Sequence, residues 1–151
     1  MIAIWLMAAG SVFAATAPAP VMGPVVPFVK VTPPDEPFYL GHFWAAGANN
    51  QAAGRTKVHV VANCPYQVQA SLQGLKHVTG KSTVSPKHTT VVINGEQTRL
   101  GGRVEIARSQ QPTTIAGVDV PVELKVAMTN MVLYPAGRYN GTLVITVMAV
   151  P

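Results

Sequence analysis

Four histidines, six carboxylates and one cysteine are the residues of this 151-residue chain best equipped for metal binding, acid–base work or nucleophilic attack. The histidines are His42, His59, His77 and His88. No two stand two or four residues apart, the spacings that set a pair of imidazoles on one strand or helix face, so the spacing signals no metal site. The acids are Asp35, Glu36, Glu96, Glu105, Asp119 and Glu123. Hydrolysis of a glycoside would need two of them facing each other across a sugar, and nothing in their order selects a pair. Asp35 and Glu36 lie between prolines, the ordinary setting of a solvated loop. Serine nucleophile elbows, phosphate-cradling glycine loops and calcium loops are absent from the sequence. Without convergent groups the chain reads as non-enzymatic, with no cofactor.

Cys64 has no second cysteine to pair with, so an internal disulfide is excluded. In Asn63-Cys64-Pro65 it sits between two strand-like runs and reads as a small hydrophobe near a turn, with an intermolecular link as the alternative. The most distinctive local feature is aromatic: Phe38-Tyr39-Leu40-Gly41-His42-Phe43-Trp44. Phe43 and Trp44 at a sheet edge could stack on sugar rings, giving a glycan-contacting face; the plainer reading packs this cluster into the core. Asn140-Gly141-Thr142 matches a glycosylation sequon and equally a turn entering a strand.

The net charge is +5 and the isoelectric point about 9.7, but the cause is a shortage of acids rather than a run of bases. The densest basic pairs are Arg55/Lys57 and Arg99/Arg103, and neither forms the patch that nucleic acid requires. Nucleic acid is therefore not an expected partner. Charged residues make up 11% of the chain against 48% hydrophobic, which excludes intrinsic disorder.

The elements that must carry these residues are strands. Tyr66, Val68, Ala70 and Leu72 alternate with Gln67, Gln69, Ser71 and Gln73; Val122, Leu124, Val126 and Met128 alternate with Glu123, Lys125 and Ala127. Val58 and Val60 alternate with Lys57 and His59, and Leu143, Ile145 and Val147 with Thr142, Val144 and Thr146. One apolar and one polar face per strand is the pattern of antiparallel sheets with a wet side. Asn94-Gly95 between Thr90–Ile93 and Gln97–Leu100 is a strong hairpin signal, because both residues tolerate positive φ. Asn63-Cys64-Pro65 joins Thr56–Ala62 to Tyr66–Leu72, and Pro135-Ala136-Gly137 precedes the last strand. No helical period is sustained, so about eight short strands in an all-β, two-sheet antiparallel sandwich are expected.

Ahead of the sandwich the chain changes character. Residues 1–14 form a short apolar run closing on Val12-Phe13-Ala14, which reads as a signal peptide without its basic flank and places the mature chain outside the cytoplasm, secreted, at the cell surface or in the periplasm. The run is too short to span a membrane comfortably, so no span is expected in the mature chain. Residues 15–37 hold seven of the thirteen prolines and can only be extended or at an edge. Within them Val25, Pro27, Val29 and Val31 alternate with Val26, Phe28 and Lys30. Residues 38–151 make the sandwich domain.

Two segments resemble a known family. Phe38-Tyr39-Leu40-Gly41, followed by Thr56–Ala62, resembles the opening strands of bacterial secreted Ig-like sandwiches. Residues 136–147, Ala-Gly-Arg-Tyr-Asn-Gly-Thr-Leu-Val-Ile-Thr-Val, resemble the terminal strand of the spore-coat-U-like and archaic chaperone–usher pilin group. The paired cysteines common in such pilins are missing. The resemblance implies an Ig-like fold with an exposed edge, completed by an extended segment of a neighbour. It implies Val25, Pro27, Val29 and Val31 as the donor strand, and Leu143, Ile145 and Val147 as the acceptor edge. The implied partners are further copies of the chain in a homopolymer, or other surface subunits of a pilus or filament.

Overall fold

The computed structural model describes residues 23–36, 38, 40 and 51–151. Its eight strands are β1 (Val29–Thr32), β2 (Gln51–Ala62), β3 (Tyr66–His77), β4 (Thr89–Ile93), β5 (Glu96–Thr98), β6 (Val104–Ser109), β7 (Val118–Met128) and β8 (Tyr139–Ala149). They form two antiparallel sheets, ordered β1-β2-β7-β4-β5 and β6-β3-β8. Apart from two single 3₁₀ turns, Pro86–His88 and Met131–Leu133, the described residues contain no helix, and so none long and apolar enough to cross a membrane.

Alternation dictates the packing. On β7, Val120, Val122, Leu124, Val126 and Met128 all face inward and are buried, while Asp119, Glu123 and Lys125 face water. Val58 and Val60 of β2 and Val91 and Ile93 of β4 extend this face within the same sheet, and Val68 of β3 closes the core from the other sheet. Each fully buried Val, Ile or Leu contributes about 1.5–3 kcal/mol relative to exposure, so a valine-rich core suffices without disulfides. On β3 the alternation of Tyr66, Val68, Ala70 and Leu72 is interrupted by a register shift between Gln73 and Lys76. Gly74 takes φ +56 there, and Leu75 turns inward in its place.

The β4–β5 hairpin turns on Asn94 (φ 48) and Gly95 (φ 87), the two positive values that a type I′ turn demands. Asn94 also solves a problem on β7. Pro121 lies inside that strand, which is paired on both sides, and has no N–H to give. Its neighbour-but-one Glu123 directs its backbone toward Asn94, donating to Asn94 Oδ1 at 2.7 Å and accepting from Asn94 N at 2.9 Å. Pro121 therefore faces the same side, just past the last β4 pair, Ile93 with Leu124. Its carbonyl accepts from Asn94 Nδ2 at 3.0 Å, and the missing donor falls where no strand would have used it.

The order β1-β2-β7-β4 reproduces the A-B-E-D sheet of an immunoglobulin sandwich, and β3-β8 its C-F pair. β6 lies on the far side of β3. In an immunoglobulin domain a G strand would lie outside β8, but among the described residues no strand pairs with that side.

Candidate functional site

Among the described residues nothing pairs with the side of β8 away from β3, and the ladder shows which backbone groups face that side. Val150 N donates to Pro65 O at 2.9 Å, which makes Pro65 and Val150 a hydrogen-bonded pair in the β3–β8 register. Hydrogen-bonded and non-hydrogen-bonded pairs alternate along an antiparallel ladder. Met148, Thr146, Val144 and Thr142 therefore bond to β3, and Leu143, Ile145, Val147 and Ala149 direct their N–H and C=O outward. The three residues expected as an acceptor edge are those whose backbone faces outward. Their side chains stand across that direction, half-buried against the core.

Val29 and Val31 of β1, and Phe38 and Leu40 beyond it, also pack half-buried against this core. Among the described residues the cluster is thus well covered at β7 and thinly covered where β1 and β8 meet. Of the four residues expected as a donor strand, Val29 and Val31 lie in β1, opposite Ala62 and Val60 of their own β2. Val25 and Pro27 precede the ladder and are exposed, Val25 at 84% of its surface. Phe38 and Leu40 follow the plainer reading of the aromatic cluster, while Phe43 and Trp44 lie outside the described residues, as do residues 1–14.

The ionisable residues are dispersed. On the outer face of β2 and β7, Lys57 Nζ donates to Asp119 Oδ2 at 2.5 Å, and His59 Nδ1 lies 2.8 Å from Asp119 Oδ1. The lysine hydrogen bond, and after it the histidine, holds the Asp119 carboxyl below its ordinary value. These three border an open cleft of about 590 Å³ with Asp35, Glu36 and Arg55. His88 Nδ1 lies 2.7 Å from the Tyr134 hydroxyl, which accepts from Ser85 N at 3.0 Å. His77 packs edge-on against Tyr139 at 5.1 Å. Each histidine described is thus tied to a different loop or face, and among the described residues no three of His, Cys, Asp and Glu stand together as metal ligands. Cys64 is half-buried, its sulfur 3.9 Å from the Phe28 carbonyl.

Residue patterning gave no sign that β1 pairs with its own β2, because that ladder joins segments about 30 residues apart. It also gave no sign of the hydrogen bonds that Asn63 makes to the chain ahead of β1.

No family model matches the chain, and no curated protein does. Among solved structures, a chain of a chaperone–tip adhesin complex, vital for synergistic activation of CFA/I fimbriae biogenesis, is similar at 14% identity with a TM-score of 0.40. The match covers 82% of this chain and 42% of that one, so this chain spans less than half the length of its neighbour. A likeness that distant carries no functional argument.

Proposed function

We propose that the protein is a non-enzymatic, exported structural subunit of the cell surface that joins to its neighbours by β-strand complementation at β8. The observation that carries this is a contrast among the four edge strands of the described residues. Soluble proteins blunt their sheet edges with charge, proline or brevity, because unpaired backbone groups recruit other chains. β1 has four residues, carries Lys30 and is flanked by Pro27 and Pro33; β5 has three residues and carries Glu96; β6 carries Glu105 and Arg108. β8 runs for 11 residues, Tyr-Asn-Gly-Thr-Leu-Val-Ile-Thr-Val-Met-Ala, with no charge and no proline.

A long, neutral, β-branched edge over a thinly covered part of the core is what an added strand uses. Backbone bonds supply the affinity, and side chains of alternate residues fill the gap beneath. The proline-punctuated segment containing Val25, Pro27, Val29 and Val31 is the donor in this reading. It has the required alternation, and its prolines keep it from nucleating a sheet of its own. Assembly would be homopolymeric, or would join this chain to other surface subunits. Electron micrographs of the purified full chain test the reading: filaments of repeating globular units are expected, and dispersed globules at every concentration would contradict it.

A further inference from the structure

The donor segment of the proposed assembly is already engaged on its own subunit, and one side chain carries much of that engagement. β1 is short, and its ladder ends at Val29 opposite Ala62. Beyond it Pro27 has no N–H, while Val25, Val26 and Phe28 leave 84%, 73% and 50% of their surfaces exposed. Packing holds this stretch weakly. Asn63 compensates. Its backbone N–H donates to Phe28 O at 3.0 Å, its Oδ1 accepts from Phe28 N at 2.6 Å, and its Nδ2 donates to Val26 O at 3.0 Å.

In a regular antiparallel pair Phe28 and Asn63 would exchange two backbone bonds. Here the Asn63 side-chain oxygen stands in for its carbonyl, because the backbone is already turning toward Pro65 and β3. The side-chain nitrogen then reaches past Pro27 to the next free carbonyl. Asn94 uses its side chain in the same way, on Pro121 and Glu123 at the end of β4. The difference lies in what is fixed. Asn94 extends the ladder of a strand buried in the core; Asn63 extends that of a strand at the rim, whose release leaves the rest of both sheets in place.

We infer that Asn63 is a latch that holds residues 26–32 on their own subunit, and that strand exchange has to break it. This rests on the strand-complementation reading above. The three bonds fail together when the segment lifts, so the latch sets how often the donor is free to find a neighbour's β8.

Limited trypsin digestion of the full chain tests the latch directly. The Lys30–Val31 bond is closed within β1, and its cleavage rate tracks the population of the lifted segment when lifting is fast relative to cleavage. The Lys125–Val126 bond, inside β7, reports global unfolding in the same digest. Asn63→Ala is expected to raise cleavage at Lys30 about five- to thirty-fold, as for the loss of one or two hydrogen bonds, with cleavage at Lys125 unchanged. Phe28→Pro removes the N–H that Asn63 Oδ1 accepts while leaving Asn63 in place, and is expected to act in the same direction. An unchanged rate at Lys30, or a rise matched at Lys125, would overturn the latch. Filament growth measured in parallel separates the two claims. Growth that quickens with Lys30 release supports both, whereas release without filaments in any variant leaves the latch standing and removes strand exchange.

Discussion

Replacement of Ile145 by proline is expected to leave a folded monomer that no longer assembles, while the same change one residue earlier, at Val144, is expected to damage the fold itself. What decides between the two positions is which way the backbone faces. Ile145 is opposite Ala70 in a non-hydrogen-bonded pair, so its N–H points to the open edge and β3 loses nothing when it is removed. Proline is tolerated on such an edge, and the half-buried isoleucine side chain costs about 1–2 kcal/mol to lose. An arriving strand, in contrast, loses a central rung and meets the pyrrolidine ring, so filament growth should slow by about tenfold or more. Val144 is paired with Ser71 in a hydrogen-bonded pair. Proline there leaves the carbonyl of Ser71, a residue 4% exposed, without its donor, at about 1–3 kcal/mol, and pushes its ring into β3. Circular dichroism with denaturant melts checks the fold, and sedimentation checks assembly. Equal assembly by Ile145→Pro and the unaltered protein would place the joining surface elsewhere.

The largest loss of stability is expected from Leu124→Ala. β7 pairs with β2 from Val118 to Ala127 and with β4 from Leu124 to Met128. Leu124 lies opposite Gly54 in β2 and Ile93 in β4, and is 1% exposed. Truncation leaves a cavity that Gly54 cannot help to fill, since it has no side chain to move. The expected cost is about 2–5 kcal/mol, a large share of the roughly 5–15 kcal/mol that holds a domain of this size together. Urea unfolding should show a lower midpoint with an unchanged slope, because the surface exposed on unfolding is nearly the same. A change below about 1 kcal/mol would mean that the core is not organised around β7.

Legibility from sequence followed the range of the interactions. β7 and β3 showed in their alternation, since each face of a strand is local information. The hairpin showed at Asn94-Gly95 for the same reason. Boundaries set by partners did not. β2 begins at Gln51 rather than Thr56, because Gln-Ala-Ala-Gly-Arg, poor strand formers alone, pair with Glu123–Ala127. β7 begins at Val118 rather than Val122; Pro121 argues against a strand in sequence, and its side of the ladder is covered by Asn94 in the structure. β5 is Glu96–Thr98, shorter than Gln97–Leu100 implied at its far end, since the chain turns at Arg99–Gly102 with Gly102 N donating to Arg99 O.

The candidate site divides the same way. Leu143, Ile145 and Val147 could be named from a motif and an alternation; their N–H and C=O groups face away from β3. Which edge of which sheet stays open is a property of topology, and no residue announces it. Asn63 is the clearest case. In sequence Asn63-Cys64-Pro65 is a turn; only with β1 laid against β2 does its side chain become a rung.

If the chain joins by lending its N-terminal segment to a neighbour's β8, tying that segment down has to block assembly. Lys30 of β1 is opposite Val61 of β2, on the outer side of the sheet from Val29 and Val31. Opposed residues in such a hydrogen-bonded pair have Cα atoms about 5.5 Å apart, within reach of a disulfide. The measurement is electron microscopy of Lys30→Cys/Val61→Cys, with Cys64→Ser to remove the native thiol, before and after reduction. Dispersed monomers are expected when the bond is closed and filaments once it is reduced. Filaments of equal number and length in the oxidised protein would contradict it, as would their absence in both states.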